Sequence, residues 1–184
     1  MNKITVISGT NRSGSICKVY AQQYYHFLSQ YPALDVQLLA LEDISHDWFS
    51  PAMYAKGQMT PDLIAIQDQY ILPAAHFVFI TPEYNGSYPG ILKLFIDAVS
   101  TRQYAANFKG KKAALMGVSS GRAGNLRGMT HLTGVLNYLG VTVMPEHLPV
   151  SKADTFIDST GLITDEETLR VIAKHASDFH DFVN

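Results

Sequence analysis

Apolar positions along the chain fall into short β-branched runs, separated by longer stretches with helical periodicity. Lys3–Ser8, "KITVIS", reads as a buried strand, and the pattern from Ser15 to about Tyr31 predicts a helix. "DVQLLAL" (Asp35–Leu41) and "HFVFIT" (His76–Thr81) repeat the strand signal. Between them Thr60 is expected as a helix N-cap, with Pro61 at the first helical position, where its missing N–H costs nothing. A helix from Pro89 to about Thr101, a strand over Lys112–Ser119 and a helix from Ala123 to Leu139 follow. Val141–Pro145 is the expected last strand, and Thr164–Val183 a closing helix whose acidic first turn suits the helix dipole. Five successive β-α units predict an α/β fold, a parallel sheet with helices on both faces, as a single domain over residues 1–184. No internal repeat, low-complexity tract or linker interrupts it.

The least regular stretch is Glu42 to Thr60, which holds Trp48, Phe49, Met53, Tyr54 and Met59. A loop so long and apolar either covers the end of the sheet or serves function.

Composition narrows the classes. At 184 residues with a net charge of −2, the chain lacks the cationic excess on which nucleic-acid binding depends. No apolar stretch approaches the ~20 residues needed to span a bilayer, and the first residues run straight into a strand without signal-peptide architecture. One cysteine, Cys17, excludes an intramolecular disulfide framework and a cysteine-based zinc cluster. These features fit a cytoplasmic protein.

Chemistry concentrates in three loops that follow strands. The first, "SGTNRSGSI", has the spacing Gly9-x-x-x-x-Gly14, but Ser15 and Ile16 stand where a nucleotide-triphosphatase loop needs Lys and then Ser or Thr. Asn11 removes the second glycine of a dinucleotide fingerprint. Gln23 stands six residues after Cys17, where a cysteine phosphatase needs Arg, so Cys17 reads as a small helix residue. What remains is a hydroxyl-rich turn, Ser8, Thr10, Ser13 and Ser15 around Arg12, opening a helix. Helix-start N–H groups, hydroxyls and one guanidinium hold a terminal phosphate monoester. Nothing there activates water, so the loop either holds phosphate without cleaving it or is an ordinary capped turn after the first strand.

The second loop opens "TPEYNGSYPGILKLFIDAVS" (Thr81–Ser100) after the third strand. In a doubly wound sheet of order 2-1-3-4-5, strands one and three are neighbours whose chains leave in opposite directions, opening the crevice that holds FMN in the flavodoxin-like order. Pro82 stiffens the loop, Asn85-Gly86 favours a positive-φ turn, and Tyr84 and Tyr88 offer flat surfaces. The third loop, "VSSGRAGNLRG" (Val118–Gly128), leaves room for a ring near Ser119, Ser120, Gly121 and Gly124. Arg122 and Arg127 are either cations for a dinucleotide's phosphates or solvated charges.

These three segments, in this order and spacing, resemble the NADPH-dependent FMN reductase family of flavodoxin-like proteins, which includes quinone, azo-dye and chromate reductases. The resemblance covers roughly the first 150 residues, and the Pro-Glu-Tyr-Asn run with its following Pro-Gly-x-Leu-Lys is its most specific part. It implies a flavodoxin-like three-layer sandwich with a five-stranded parallel sheet. It implies that FMN phosphate lies at Ser8, Thr10, Arg12, Ser15 and the Ile16 backbone. The isoalloxazine would border Pro82, Glu83, Tyr84, Asn85 and Gly86, with Ser119, Ser120 and Gly121 approaching from the other side. NAD(P)H would be the hydride donor, and a small-molecule acceptor (free FMN, a quinone or an azo compound) its destination. One departure is Leu94 after Lys93, where many members carry Asn.

No catalytic acid or base stands out, and no Ser-His-Asp set or metal-spaced histidine pair competes with the flavin reading. The seven histidines are scattered, with His175 and His180 on the last helix expected in solvent. From Ile91 to Val99 only Lys93 and Asp97 are charged. A helix apolar nearly all round needs cover on more than one side, which suggests a partner subunit and agrees with the family's usual homodimer. Two other readings of the residues stay open at this point, a flavodoxin-type electron carrier and a non-catalytic FMN-binding module.

Overall fold

The computed structural model describes residues 2–55 and 57–184. Its centre is a parallel sheet in the order β2-β1-β3-β4-β5. The strands are β1 (Asn2–Ser8), β2 (Leu34–Ala40), β3 (His76–Pro82), β4 (Lys112–Val118) and β5 (Thr142–Val143). The expected fifth strand is broken in two. After β5 the chain leaves the sheet at Met144 and returns as β6 (Leu148–Val150), which pairs with the far end of β4, Met116 to Leu148 and Val118 to Val150. Pro145 cannot donate to a ladder, and the interruption falls at Met144–His147.

Helices cover both faces. One carries α1 (Ile16–Leu28) and α6 (Glu166–Val183); the other carries α2 (Pro61–Ile66), α3 (Gly90–Val99) and α5 (Leu126–Tyr138), with the short α4 (Tyr104–Phe108) beside them. Side-chain alternation along each strand feeds two cores. Ile4, Val6, Val78, Ile80, Ala114 and Met116 meet Tyr20, Tyr24 and Leu28 of α1 and Ile172 and Phe179 of α6. Ile7, Phe77, Phe79, Ala113 and Leu115 meet Leu92, Phe95 and Ile96 of α3 and Leu132 and Leu136 of α5. At about 1.5–3 kcal/mol for each large apolar side chain fully buried, these central strands are the most strongly fixed part of the molecule, and their ends are a rigid base for loops.

Thr60 caps α2 as expected, its hydroxyl accepting from the Leu63 N–H at 3.4 Å, with Pro61 in the first turn. The helix then widens by one residue over Gln67–Ile71, where the Leu72 N–H reaches back to the Gln67 carbonyl. The buried Gln67 there donates to Val99 O and Arg102 O and so terminates α3. In the irregular Glu42–Thr60 stretch, Trp48 and Met53 are buried and Trp48 meets Phe95 edge-on at 6.2 Å, whereas Phe49 and Tyr54 are exposed. The segment covers the sheet and also presents aromatic surface.

Candidate functional site

The carboxyl ends of β1, β3 and β4 lie side by side, Ser8 against Ile80 and Pro82 against Val118. The chain leaves β1 toward β2 on one side and leaves β3 toward β4 on the other, so the crevice between them is the topological switch point.

The first loop is built to start a helix. Ser15 is the N-cap of α1, its hydroxyl oxygen accepting from the Cys17 N–H at 3.1 Å. First-turn N–H groups of a helix have no intrahelical acceptor, and with the dipole they favour an anion. Within the loop the Arg12 N–H donates to the Thr10 hydroxyl at 3.2 Å, while the Arg12 side chain extends toward solvent. Ser8 lies fully inside, its hydroxyl donating to the Cys17 sulfur at 3.6 Å, and the Cys17 thiol in turn donates to Ile80 O. Burial pushes this thiol up to about 12, so it stays protonated and is no nucleophile.

The second loop closes as a two-residue hairpin. Tyr84 and Ser87 exchange both backbone hydrogen bonds, at 2.9 and 3.1 Å, around Asn85 (φ 51°) and Gly86 (φ 77°). Positive φ at both central positions is the reason for Asn-Gly. The Tyr84 hydroxyl lies 2.8 Å from the Thr10 hydroxyl and ties this loop to the first. On the opposite side of the hairpin, the Arg127 guanidinium lies 3.6 Å from where a Cβ on Gly86 would stand, and 3.9 Å from Glu83.

The third loop is held from beneath. The Ser119 N–H donates to Val150 O, the Ala153 N–H to Ser119 O and the Lys152 N–H to Gly121 O, each at 3.0 Å. The Ser119 hydroxyl accepts from the Gly121 N–H at 3.0 Å. Gly117 lets the Gly124 carbonyl rest on β4, since a Cβ there would collide with that oxygen. Asn125, fully buried and in the left-handed region (φ 63°), donates through Nδ2 to Thr81 O at 3.0 Å and Pro82 O at 2.9 Å. It fastens the start of α5 to the end of β3.

Between the loops lies a cavity of about 320 Å³ lined by Arg12, Gly14, Ser15, Ile16, Pro82, Glu83, Tyr84, Val118, Ser119, Ser120 and Asp154. Of the thirteen residues singled out in sequence, Arg12, Ser15, Ile16, Pro82, Glu83, Tyr84, Ser119 and Ser120 meet on its walls. Thr10 stands one hydrogen bond behind Tyr84, Asn85 and Gly86 form the hairpin tip, Gly121 follows the third wall, and Ser8 lies in the interior. Val118 and Asn125 lie inside the third loop motif but are not among the residues singled out there, and Asp154, past the last strand, lies outside all three motifs.

Whether these groups suit FMN is answered by the donor set. One end of the cavity has a helix N-terminus, a guanidinium and a hydroxyl, all suited to a dianionic phosphate. The other end has proline, tyrosine and serine backbone suited to a flat heterocycle, and the volume falls in the range of about 300–1,000 Å³ usual for ligand clefts. The residues fit. A larger cavity, about 610 Å³, lies between α3 and α5 and is lined by Ile96, Val135, Leu139 and three tyrosines. No arginine lines it and its lysine, Lys93, is paired with Asp97, so chemistry rather than size identifies the cofactor cleft.

Residues 2–155 match the family model of NADPH-dependent FMN reductase. The chain belongs to that family. All three loops of this FMN reductase family member fall inside the matched residues. Over 172 residues it is 33% identical to an NAD(P)H-dependent FMN reductase of Pseudomonas aeruginosa, covering 92% of this chain and 89% of the relative. It is 30% identical over 176 residues to a 2-hydroxy-1,4-benzoquinone reductase of a Burkholderia species, covering 92% and 90%. Among solved structures it resembles FerB, a flavoenzyme NAD(P)H:(acceptor) oxidoreductase of Paracoccus denitrificans, with a TM-score of 0.76 and 28% identity over 100% of this chain and 97% of that one.

Proposed function

We propose that the protein is an FMN-dependent NAD(P)H oxidoreductase that reduces a small diffusible acceptor, a quinone in the first instance. The single observation that carries this reading is the cleft itself, where a phosphate-suited helix start and a ring-suited hairpin face one cavity at the switch point of the sheet. Bound there, FMN would supply the hydride-transfer chemistry that links NAD(P)H to the acceptor.

The chain's own residues hold and orient. Arg12, the Ser15 hydroxyl and the Ile16 N–H receive the phosphate, and the Thr10–Tyr84 contact fixes the distance from phosphate to ring. The hairpin's two bonds run between Tyr84 and Ser87, so the Asn85 and Gly86 N–H groups take no part in them and are available to the ring's edge. Arg127, against Gly86 and beside Glu83, braces the hairpin from outside the cleft.

The protein acts as a homodimer through the α3–α5 face. Tyr54, Tyr104 and Tyr138 are exposed around that groove, and its one ion pair, Lys93 with Asp97 at 2.7 Å, is neutralised within α3. An identical surface can face itself there without opposing like charge. No helix among the described residues is long and apolar enough to cross a membrane. We place the enzyme in the cytoplasm, where a lone buried thiol stays reduced.

The test is anaerobic reduction of the FMN-loaded protein. NADPH is expected to bleach the flavin's visible absorption, and added benzoquinone to restore it with turnover. A protein that neither takes up FMN nor oxidises NADPH would refute the proposal.

A further inference from the structure

Asp154 lines the cleft, and none of the three loop motifs includes it. Its position is built rather than incidental. The chain turns at Lys152 in the left-handed region (φ 51°) and starts a short helical turn over Ala153–Phe156. On the residues before it, the Lys152 and Ala153 N–H groups donate to the third loop, and Tyr20, buried in α1, donates its hydroxyl to Ala153 O at 2.8 Å. One turn is thus pinned both to the helix that receives the phosphate and to the loop that approaches the ring, and it carries a carboxylate between them.

A carboxylate in a cleft built for a dianion is repelled unless the ligand brings hydrogen-bond donors to it. The described residues provide it with no ion-pair partner within 4 Å, since the pairs of the molecule lie elsewhere. An ionised carboxylate only accepts hydrogen bonds. Between the phosphate and the ring of FMN lies a polyol chain, whose hydroxyls are neutral donors. We propose that Asp154 is a further cofactor-binding residue, accepting hydrogen bonds from the ribityl hydroxyls and selecting ligands that carry a sugar-alcohol chain. The inference rests on the FMN reading of the cleft and adds a fourth wall to it.

The experiment compares FMN, riboflavin and lumiflavin, which share one ring but differ in phosphate and polyol, by flavin fluorescence titration of wild type, Asp154→Ala and Asp154→Asn. A hydrogen bond to a charged group corresponds to about a tenfold change in affinity. Asp154→Ala is expected to weaken FMN and riboflavin by the same factor of about ten and to leave lumiflavin unchanged. Asp154→Asn, which keeps an acceptor, should recover part of the loss. Tighter FMN binding in Asp154→Asn would mean that the carboxylate only repels phosphate, and would overturn the proposal. An equal loss for lumiflavin would place the effect on the ring or the fold and overturn it too, as would no change for any flavin. A wild-type protein that binds none of the three would instead sink the FMN reading itself.

Discussion

Tyr84 belongs to the hairpin, yet its hydroxyl reaches the first loop, and this single contact sets the span between the two ends of the cleft. Arg12 is its counterpart at the phosphate end, where its value depends on the ligand's charge. Replacing Arg12 by Ala is therefore expected to weaken FMN by about ten- to a hundredfold and to leave riboflavin almost unchanged, as isothermal titration with the two flavins would show. Equal losses for both would remove Arg12 from the phosphate. At the same scale, His175 corrects an expectation. Expected in solvent on α6, it is buried instead, its Nδ1 2.8 Å from the Tyr24 hydroxyl and its Nε2 2.9 Å from Glu146 O. The carbonyl partner places the proton on Nε2, so Nδ1 accepts from Tyr24. Burial holds its pKa below the ordinary 6.5, and burial lowers His76 and His147 as well. Each of these groups binds fewer protons folded than unfolded, so stability falls as pH drops from about 6.5 toward their lowered values and levels off below them. Thermal melts from about pH 7.5 to 5 should show this slope, and His175→Gln should make it shallower while lowering the melting point at neutral pH. An unchanged slope would remove His175 from the effect.

Among the elements, the third loop and α5 depend on one buried amide. Asn125→Gly keeps the left-handed backbone but deprives Thr81 O and Pro82 O of their donor, and a buried acceptor left unsatisfied costs about 1–3 kcal/mol. Urea unfolding of the FMN-free protein should report a loss of that size, accompanied by weaker FMN binding because Glu83–Gly86 follow directly from those carbonyls. Unaltered stability would mean that the two bonds hold nothing in place. Most elements were legible because each has a local cause. β1, β3 and β4 are continuous buried runs, Thr60-Pro61 announces α2, and Asn85-Gly86 announces its hairpin. What escaped has its cause in distant contacts. β6 is three residues long and exists only because β4 has a free edge beyond Ala113, where its pairing with β5 ends. Asn125 is an ordinary polar residue in sequence, and only the carbonyls it meets 43 and 44 residues away give it a role.

For the whole molecule, the cleft was foreseeable as a place because the β-α order brings the loops after β1, β3 and β4 to one edge. Asp154 was not, because it enters from beyond the last strand. The apolarity of α3 alone suggests a partner-covered face, and α3 lines one groove together with α5, which we propose as that face. Light scattering should give twice the 20.3 kDa chain mass, and Val135→Asp, which puts a charge on the groove's floor, should give monomers. A monomeric wild type at micromolar concentration would contradict the dimer. The most direct test of the central claim is a crystal structure of the protein grown with FMN. The account predicts phosphate at the start of α1 beside Arg12, and the ring against Pro82–Gly86 with Ser119 and Ser120 on its other side. FMN seated between α3 and α5, or a cleft at the switch point left empty at saturating FMN, would contradict it.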